Sequence, residues 1–350
     1  MKTTSHPFLI FFSIVAIVYG TVFSLPEREL QWLDDDALRA WALDIGLRPV
    51  PETFDAARAV VESDANPLTP EKIALGRRLF NDPVLSRDDT VSCASCHILE
   101  DGGDDNLPTA VGFHGLQNPK HLNSPTVLNA ALARHQFWDG RAPDVEAQAA
   151  GPIQAPFEMN LTPSEAVAKL RARPDYVVAF QRAFGGDDSI SFENIRKAIG
   201  AYERTLLTDS AYDRFLRGDD DALSPAAKRG LNLFMQKGCK GCHAGMSLGG
   251  LSIQHFPLHR PITEVFDLAP FPFPNEGGFL GRDDRRLFRV PLLRNVSRTG
   301  PYFHNGVVED LDEAVRIMSK YQLGKEFTPA QIDDVVEFLK SLEGEPIYGA

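Results

Sequence analysis

Residues 93–97 read Cys93-Ala94-Ser95-Cys96-His97, and residues 239–243 read Cys239-Lys240-Gly241-Cys242-His243. These two stretches hold all four cysteines of the chain. Two thiols spaced by two residues reach the two vinyl groups of one porphyrin, and the histidine that follows stands under the iron. Cys-x-x-Cys-His is therefore the attachment signature of a covalent c-type haem. A redox dithiol needs no histidine after its second cysteine, and a four-thiolate zinc site would not place one after each pair. Two disulfides would leave both histidines unexplained. The sequence predicts two haem c groups, one on Cys93, Cys96 and His97 and the other on Cys239, Cys242 and His243.

Outward from the motifs the chain repeats itself. Upstream of the first lie Thr69-Pro70, a helix start with proline at the first helical position, and Gly76-x-x-x-Phe80. Upstream of the second lie Ser224-Pro225 and Gly230-x-x-x-Phe234. In each pair the glycine would admit a crossing helix and the phenylalanine would pack beside the haem. Downstream, Pro125-x-x-x-Asn129 precedes Gly140 by the same interval that separates Pro291-x-x-x-Asn295 from Gly306. Each half closes on an amphipathic helix, 191–206 in the first and one starting at Thr328-Pro329 in the second. No run of alternating strands is evident. The plan is all-α: two tandem c-type cytochrome domains, 66–215 and 216–350, with one haem each.

Residues 1–24 have the form of a targeting segment, with Lys2 ahead of an almost wholly apolar run from Phe8 to Phe23. Cleavage after export is the first reading and an uncleaved anchor the second; either puts the folded part outside the cytoplasm, in the periplasm. Residues 25–65 lie outside the repeat, and the spacing of Leu30, Leu33, Leu38, Trp41 and Ile45 predicts a helical extension. The Pro- and Phe-rich residues 256–281 read as a long irregular loop near the second haem. The 350 residues carry a net charge of −12, which argues against nucleic acid and suits a basic protein partner.

The methionines separate the two haems. A bare electron carrier fills both axial positions of its iron, and methionine opposite histidine raises the potential. Met246 is too close to His243 to reach the far face, and Met235 points to core packing. Met318, 75 residues after His243, is the predicted sixth ligand of the second haem. In the first half Met159 has the spacing to cap the iron and make a second carrier. Its neighbour Glu158, after the irregular stretch 151–156, is the carboxylate that peroxide cleavage at an open iron would need. Spacing alone leaves both readings open.

At this point the chain resembles the bacterial diheme cytochrome c peroxidases over residues 66–345. The likeness rests on Leu79-Phe80, Leu85-Ser86, Ser92 with the first motif, Phe137-Trp-Asp-Gly-Arg141, Glu146-x-Gln148 and Gly151-Pro-Ile153. It continues in Glu158-Met159, Tyr202-Glu-Arg-Thr205, Val290-Pro-Leu-Leu-Arg-Asn295 and Pro301-Tyr-Phe-His304. The resemblance implies a peroxidatic first haem with His97 proximal and His114 distal on a mobile loop. It makes Glu158 the acid–base residue, Gln148 its pocket partner and Trp138 the aromatic bridge between the haems. Met159 is then no ligand. The second haem becomes the electron-accepting site, with His243 and Met318 on its iron.

The resemblance also implies a calcium ion near Asn123, Thr299 and Pro301, a homodimer, hydrogen peroxide as substrate, and a small cytochrome c or cupredoxin as donor. His121, His135, His255 and His259 match no role and read as surface or loop residues. Two rivals stand: a relative of the methylamine-dehydrogenase maturation type that oxidises a protein, in which tyrosine tends to replace Met318, and a plain diheme carrier.

Overall fold

In the computed structural model, residues 30–259, 281–283 and 285–347 are described. The predicted targeting segment and most of the predicted loop 256–281 lie outside them. Both repeats open on the same helix chemistry. The hydroxyls of Thr69 and Ser224 accept from the backbone N–H groups of Lys72 and Ala227, and Pro70 and Pro225 occupy the first turns.

The described helices are α1 (Asp35–Asp44), α2 (Phe54–Val61), α3 (Pro70–Asn81), α4 (Val145–Gln154), α5 (Pro163–Arg171), α6 (Pro174–Phe184), α7 (Phe192–Glu203), α8 (Ala211–Leu216), α9 (Pro225–Lys237), α10 (Leu311–Ile317) and α11 (Pro329–Lys340). Four three-residue strands add two antiparallel ribbons: β1 (Thr208–Ser210) with β4 (Gly344–Pro346), and β2 (Ile253–His255) with β3 (Leu287–Arg289). The protein is thus mostly helical, with strand pairing the sequence did not announce. No helix among the described residues is long and apolar enough to cross a membrane.

The repeat is a repeat of packing. At Gly76 of α3 an added Cβ would collide with the Ala198 carbonyl of α7, and at Gly230 of α9 it would collide with the Asp334 carbonyl of α11. Each half is built on one close helix crossing that only glycine admits. Phe80 and Phe234, one turn on, each set a ring 6.4 Å from the motif histidine, His97 and His243 respectively. Asn129 and Asn295 both adopt left-handed backbone, with φ of 61° and 59°, and each leads into a short 3₁₀ turn. Their side-chain amides converge on one hydroxyl, Thr208 Oγ1, at 2.9 and 3.2 Å.

The halves are tied at the centre. Arg294 and Asp213 are 0% exposed and joined by two hydrogen bonds of 2.7 Å. Asp213 also accepts from Val50 N at 2.7 Å and Ser210 N at 2.9 Å, so one carboxylate links the extension, α8 and the second half. The expected boundary at 215/216 falls inside α8, and Trp32–Ala350 clusters as one compact unit. The described part of the extension carries α1 and α2. Leu38, Ala42, Leu47 and Val50 are buried, and Val50, Ala57 and Val61 share a core cluster with Leu68, Ala201 and Leu207.

Candidate functional site

Each Cys-x-x-Cys-His segment forms one 3₁₀ turn at the wall of a cavity. Cys93, Cys96 and His97 line the first, and Cys239, Cys242 and His243 line the second. None of the four cysteines is in a disulfide. Burial pushes the thiols of Cys96 and Cys239 up to about 12. His97 Nδ1 lies 3.0 Å from Gly103 O and His243 Nδ1 lies 3.1 Å from Leu248 O. A hydrogen bond there fixes the ring and leaves Nε2 for the iron. Burial holds His97 below its ordinary pKa and His243 at about 4, so both are neutral, as iron ligation requires. These residues fit a haem at each cavity.

Around the first cavity stand Glu158, Gln148, Trp138, Arg141 and Lys120. Glu158 follows α4, and loss of solvent pushes its carboxyl up to about 7 against the pull of Arg141 and Lys120. Gln148 is on α4 itself. Glu146, two residues earlier, is clamped to Arg204 of α7 at 2.9 and 2.8 Å, which fixes the helix that presents Gln148. Met159 is buried among Leu75, Leu79, Ile153 and Leu161 as well as touching this cavity.

His114 does not line it. The ring stacks on Phe113 at 4.1 Å, is 65% exposed, and reaches Asp88 Oδ2 at 3.4 Å. The loop that carries it nonetheless docks on the site. Phe113 N donates to Glu158 O at 2.8 Å, and a Cβ at Gly112 would meet the Glu158 backbone at 2.6 Å.

Around the second cavity the lining is mostly apolar and aromatic, with Phe234, Phe256, Phe288, Tyr302 and Phe327, and Met318 faces the same space as His243. Met318 opens a π-helical turn, 318–322, that interrupts the chain after α10. Met235 is buried in the core, as expected. Met246 packs against the cluster around Val50.

Trp138 lines both cavities and donates from Nε1 to Asn123 O at 2.9 Å. Asn123, Thr299 and Pro301 lie together on the wall of the second cavity. The Asn123 amide nitrogen is committed to Leu107 O at 2.8 Å, which leaves its carbonyl oxygen as a ligand atom. The carbonyls of Thr299 and Pro301 accept no hydrogen bond among the described residues. Three unshared oxygens of this kind fit a hard cation.

Sequence reasoning missed four buried polar groups here. His304 is buried and meets Trp138 edge-on at 6.3 Å; it stands two residues before Gly306 as Trp138 stands two before Gly140, so the repeat register could have found it. Arg289, buried at the second cavity, donates to Phe137 O at 3.1 Å, and burial brings its guanidinium down to about 10. Glu203, at the first cavity, is pushed by burial up to about 8. Asp104 is the fourth, with burial pushing its carboxyl up to about 8. Nothing in the local pattern of the last three signalled burial.

A mostly helical frame with two such cavities has the layout of a di-haem c-type protein. Residues 70–221 match the family of di-haem cytochrome c peroxidases. The cytochrome c551 peroxidase of Pseudomonas aeruginosa is 44% identical over 328 residues, spanning 92% of this chain and 90% of its own. The methylamine utilization protein MauG of Methylorubrum extorquens is 36% identical over 308 residues, spanning 84% of each chain. A solved MauG-like protein associated with microbial copper homeostasis superposes with a TM-score of 0.70 at 29% identity, over 82% of this chain and 93% of its own. The chain belongs to the di-haem cytochrome c peroxidase family.

Proposed function

We propose that the protein reduces hydrogen peroxide to water at the first haem, with electrons that arrive through the second from a small cytochrome c or cupredoxin. The observation that carries this reading is Glu158. A carboxyl in the wall of the first cavity with its pKa near 7 exchanges a proton at neutral pH. The second cavity has one carboxyl in its described lining, Asp104, which shares its wall with the oxygens of Asn123, Thr299 and Pro301.

The iron supplies the redox chemistry when haem is bound. Residues of the chain do the rest. His97 and His243, oriented through Nδ1, would ligate the two irons, and Cys93, Cys96, Cys239 and Cys242 would carry the thioether bonds. With haem bound, Glu158 would accept a proton from one peroxide oxygen and return it to the other, which would leave as water. Gln148 would orient the peroxide from α4. With His114 paired to Asp88, the distal side of the first cavity is open to peroxide. His114 acts as a distal ligand only when its loop turns inward. Met318, on the same cavity as His243, would be the second ligand to that iron and would raise its potential. Trp138, shared by both walls, bridges the two.

In this reading the halves 66–215 and 216–350 each hold one haem, calcium sits at Asn123, Thr299 and Pro301, the enzyme is exported to the periplasm, and two copies pair as a homodimer. Met318 in the second cavity favours the peroxidase over the protein-oxidising type.

The test is peroxide-dependent oxidation of reduced small cytochrome c by the half-reduced holoprotein. Fast turnover that is lost in Glu158→Gln supports the reading. Negligible oxidation of any such donor, with both haems cycling normally, would overturn it.

A further inference from the structure

A carboxylate without a partner lies where the two halves meet. Asp104 is 0% exposed, and neither Oδ1 nor Oδ2 has a hydrogen-bond partner. A bare buried charge is unfavourable unless a counter-charge or a ligand meets it. Asp101 and Asp105 stand within electrostatic reach and worsen the imbalance, which the nearby backbone N–H groups of Asp104 and Asn106 relieve only in part.

The position of Asp104 is fixed from two sides. From the first half, Thr126 Oγ1 donates to Gly102 O at 2.6 Å, Val127 N donates to Gly103 O at 2.9 Å, and Ser124 Oγ donates to Asp105 Oδ2 at 3.1 Å. From the second half, Gly102 packs on Arg298 and Thr299 so closely that a Cβ would meet them at 2.9 and 3.0 Å. Tyr302 feels the Asp104 charge more than any other. Asp104 thus shares a wall with Asn123, Thr299 and Pro301, whose ligand oxygens are unshared.

We propose that Asp104 is a ligand of the cation held by Asn123, Thr299 and Pro301, and the one ligand among them that carries charge. The inference rests on the calcium reading above and adds to it. One amide and two peptide carbonyls form a neutral set, whereas a carboxylate oxygen gives calcium its strongest electrostatic partner. All four donors are oxygen, which selects calcium over softer metals. The ion then fastens loop 102–105 to loop 299–301. It also steadies Trp138, whose Nε1 bonds to the backbone of the ligand Asn123.

The experiment is a calorimetric calcium titration of the chelator-treated holoprotein as wild type, Asp104→Asn and Asp105→Asn. Asp104→Asn is expected to weaken binding at least about tenfold and to shrink the rise in Tm that calcium gives the wild type. Asp105→Asn, which changes the same charge beside the site, is expected to cost less than about threefold. Equal affinity in wild type and Asp104→Asn overturns the assignment and leaves the calcium reading standing. Equal losses in both variants make Asp104 a distant charge and overturn ligation. Absence of binding to the wild type overturns both readings. Anomalous scattering from calcium-loaded wild-type crystals needs no variant: an ion ~2.3–2.6 Å from an Asp104 oxygen supports the proposal, and an ion elsewhere overturns it.

Discussion

Residues 136–142 and 302–308 are the same turn built twice. Gln136 pairs with Ala142 across one and Tyr302 with Val308 across the other. Phe137 and Phe303 take the same left-handed backbone, with φ of 66° and 68°. The next residue is Trp138 in the first turn and His304 in the second, and the two rings meet edge-on. What surrounds the turns differs more. The first cavity collects Glu158, Gln148, Arg141 and Lys120, whereas the second is walled by phenylalanines and Met318. The two frames are alike, and in the proposed reading function is divided by a handful of side chains placed in them. A carrier needs only a closed iron in an apolar wall, while peroxide cleavage needs a proton-handling group beside an open one.

The sharpest way to break this comparison is at Glu158, the carboxyl assigned to the proton path in the first cavity. Glu158→Gln is expected to lower kcat/KM for peroxide by about 100- to 10,000-fold while both haem spectra stay intact. Burial places this carboxyl at about 7, and only its ionised form accepts a proton. The wild-type kcat/KM should therefore rise with pH up to about 7 and level off above it, and the acid limb should vanish in the glutamine variant. A profile flat through neutrality would remove Glu158 from the proton path.

The next test asks whether the halves stand apart. Arg294→Met leaves the Asp213 carboxylate buried without its counter-charge, so the expected cost is about 3–5 kcal/mol, read by denaturant unfolding. Because Asp213 also holds Val50 and Ser210, both haem environments should melt in one transition. Separate transitions would show independent domains. In the wild type, desolvation opposes ionisation of Asp213, but Arg294 and the hydrogen bonds hold its pKa below the usual carboxylate range. The stability this gives is present above the unfolded carboxylate value of ~3.9 and is lost as pH falls through the lower, folded value.

Met318→Leu sharpens the comparison from the other side. It should lower the potential of the second haem by on the order of 0.1 V, about 2.3 kcal/mol for one electron, and leave the first within error. A redox titration followed in the haem spectra reads both. An unchanged second potential would return Met318 to the core of α10.

How much of this was legible depends on the range of the interaction. The haem motifs, the helix starts at Thr69 and Ser224 and the crossing glycines are local patterns, and the structure repeats them faithfully. The short ribbons were not legible, since three-residue strands carry no period and their partners lie far along the chain. The helix expected over 191–206 ends at Glu203, because Leu206 O is taken by Asn129 N and Leu207 N by Thr205 O. At the site, the resemblance singled out Glu158 and Trp138, and both line the first cavity. The position of His114 was not, for it turns on a loop whose ring can pair with Asp88 or face the cavity. The burial of Asp104, Glu203 and Arg289 depends on neighbours supplied by distant segments.

The smallest effect tests the frame itself. Gly76→Ala and Gly230→Ala each push a methyl group into a backbone carbonyl of the crossing helix, Ala198 O or Asp334 O. A backbone oxygen inside a helix cannot swing aside as a side chain does, so the two helices must separate. The overpacking cost is about 1–3 kcal/mol at either site, less the ~0.8–1 kcal/mol that alanine's helix propensity returns. If the frames are equivalent the two costs agree to within about 0.5 kcal/mol, since the sites share no partner and should behave independently. The functional readouts should then part company. Separation of α3 from α7 disturbs the wall that carries Glu203 and the first haem, so peroxide turnover falls at Gly76→Ala with the second potential unmoved. Separation of α9 from α11 disturbs the wall around Val335 and Leu339, so the second potential shifts at Gly230→Ala. Equal stability losses with exchanged functional losses would be the signature of one scaffold used for two purposes, and unequal stability losses would show that the frames have diverged as far as the cavities.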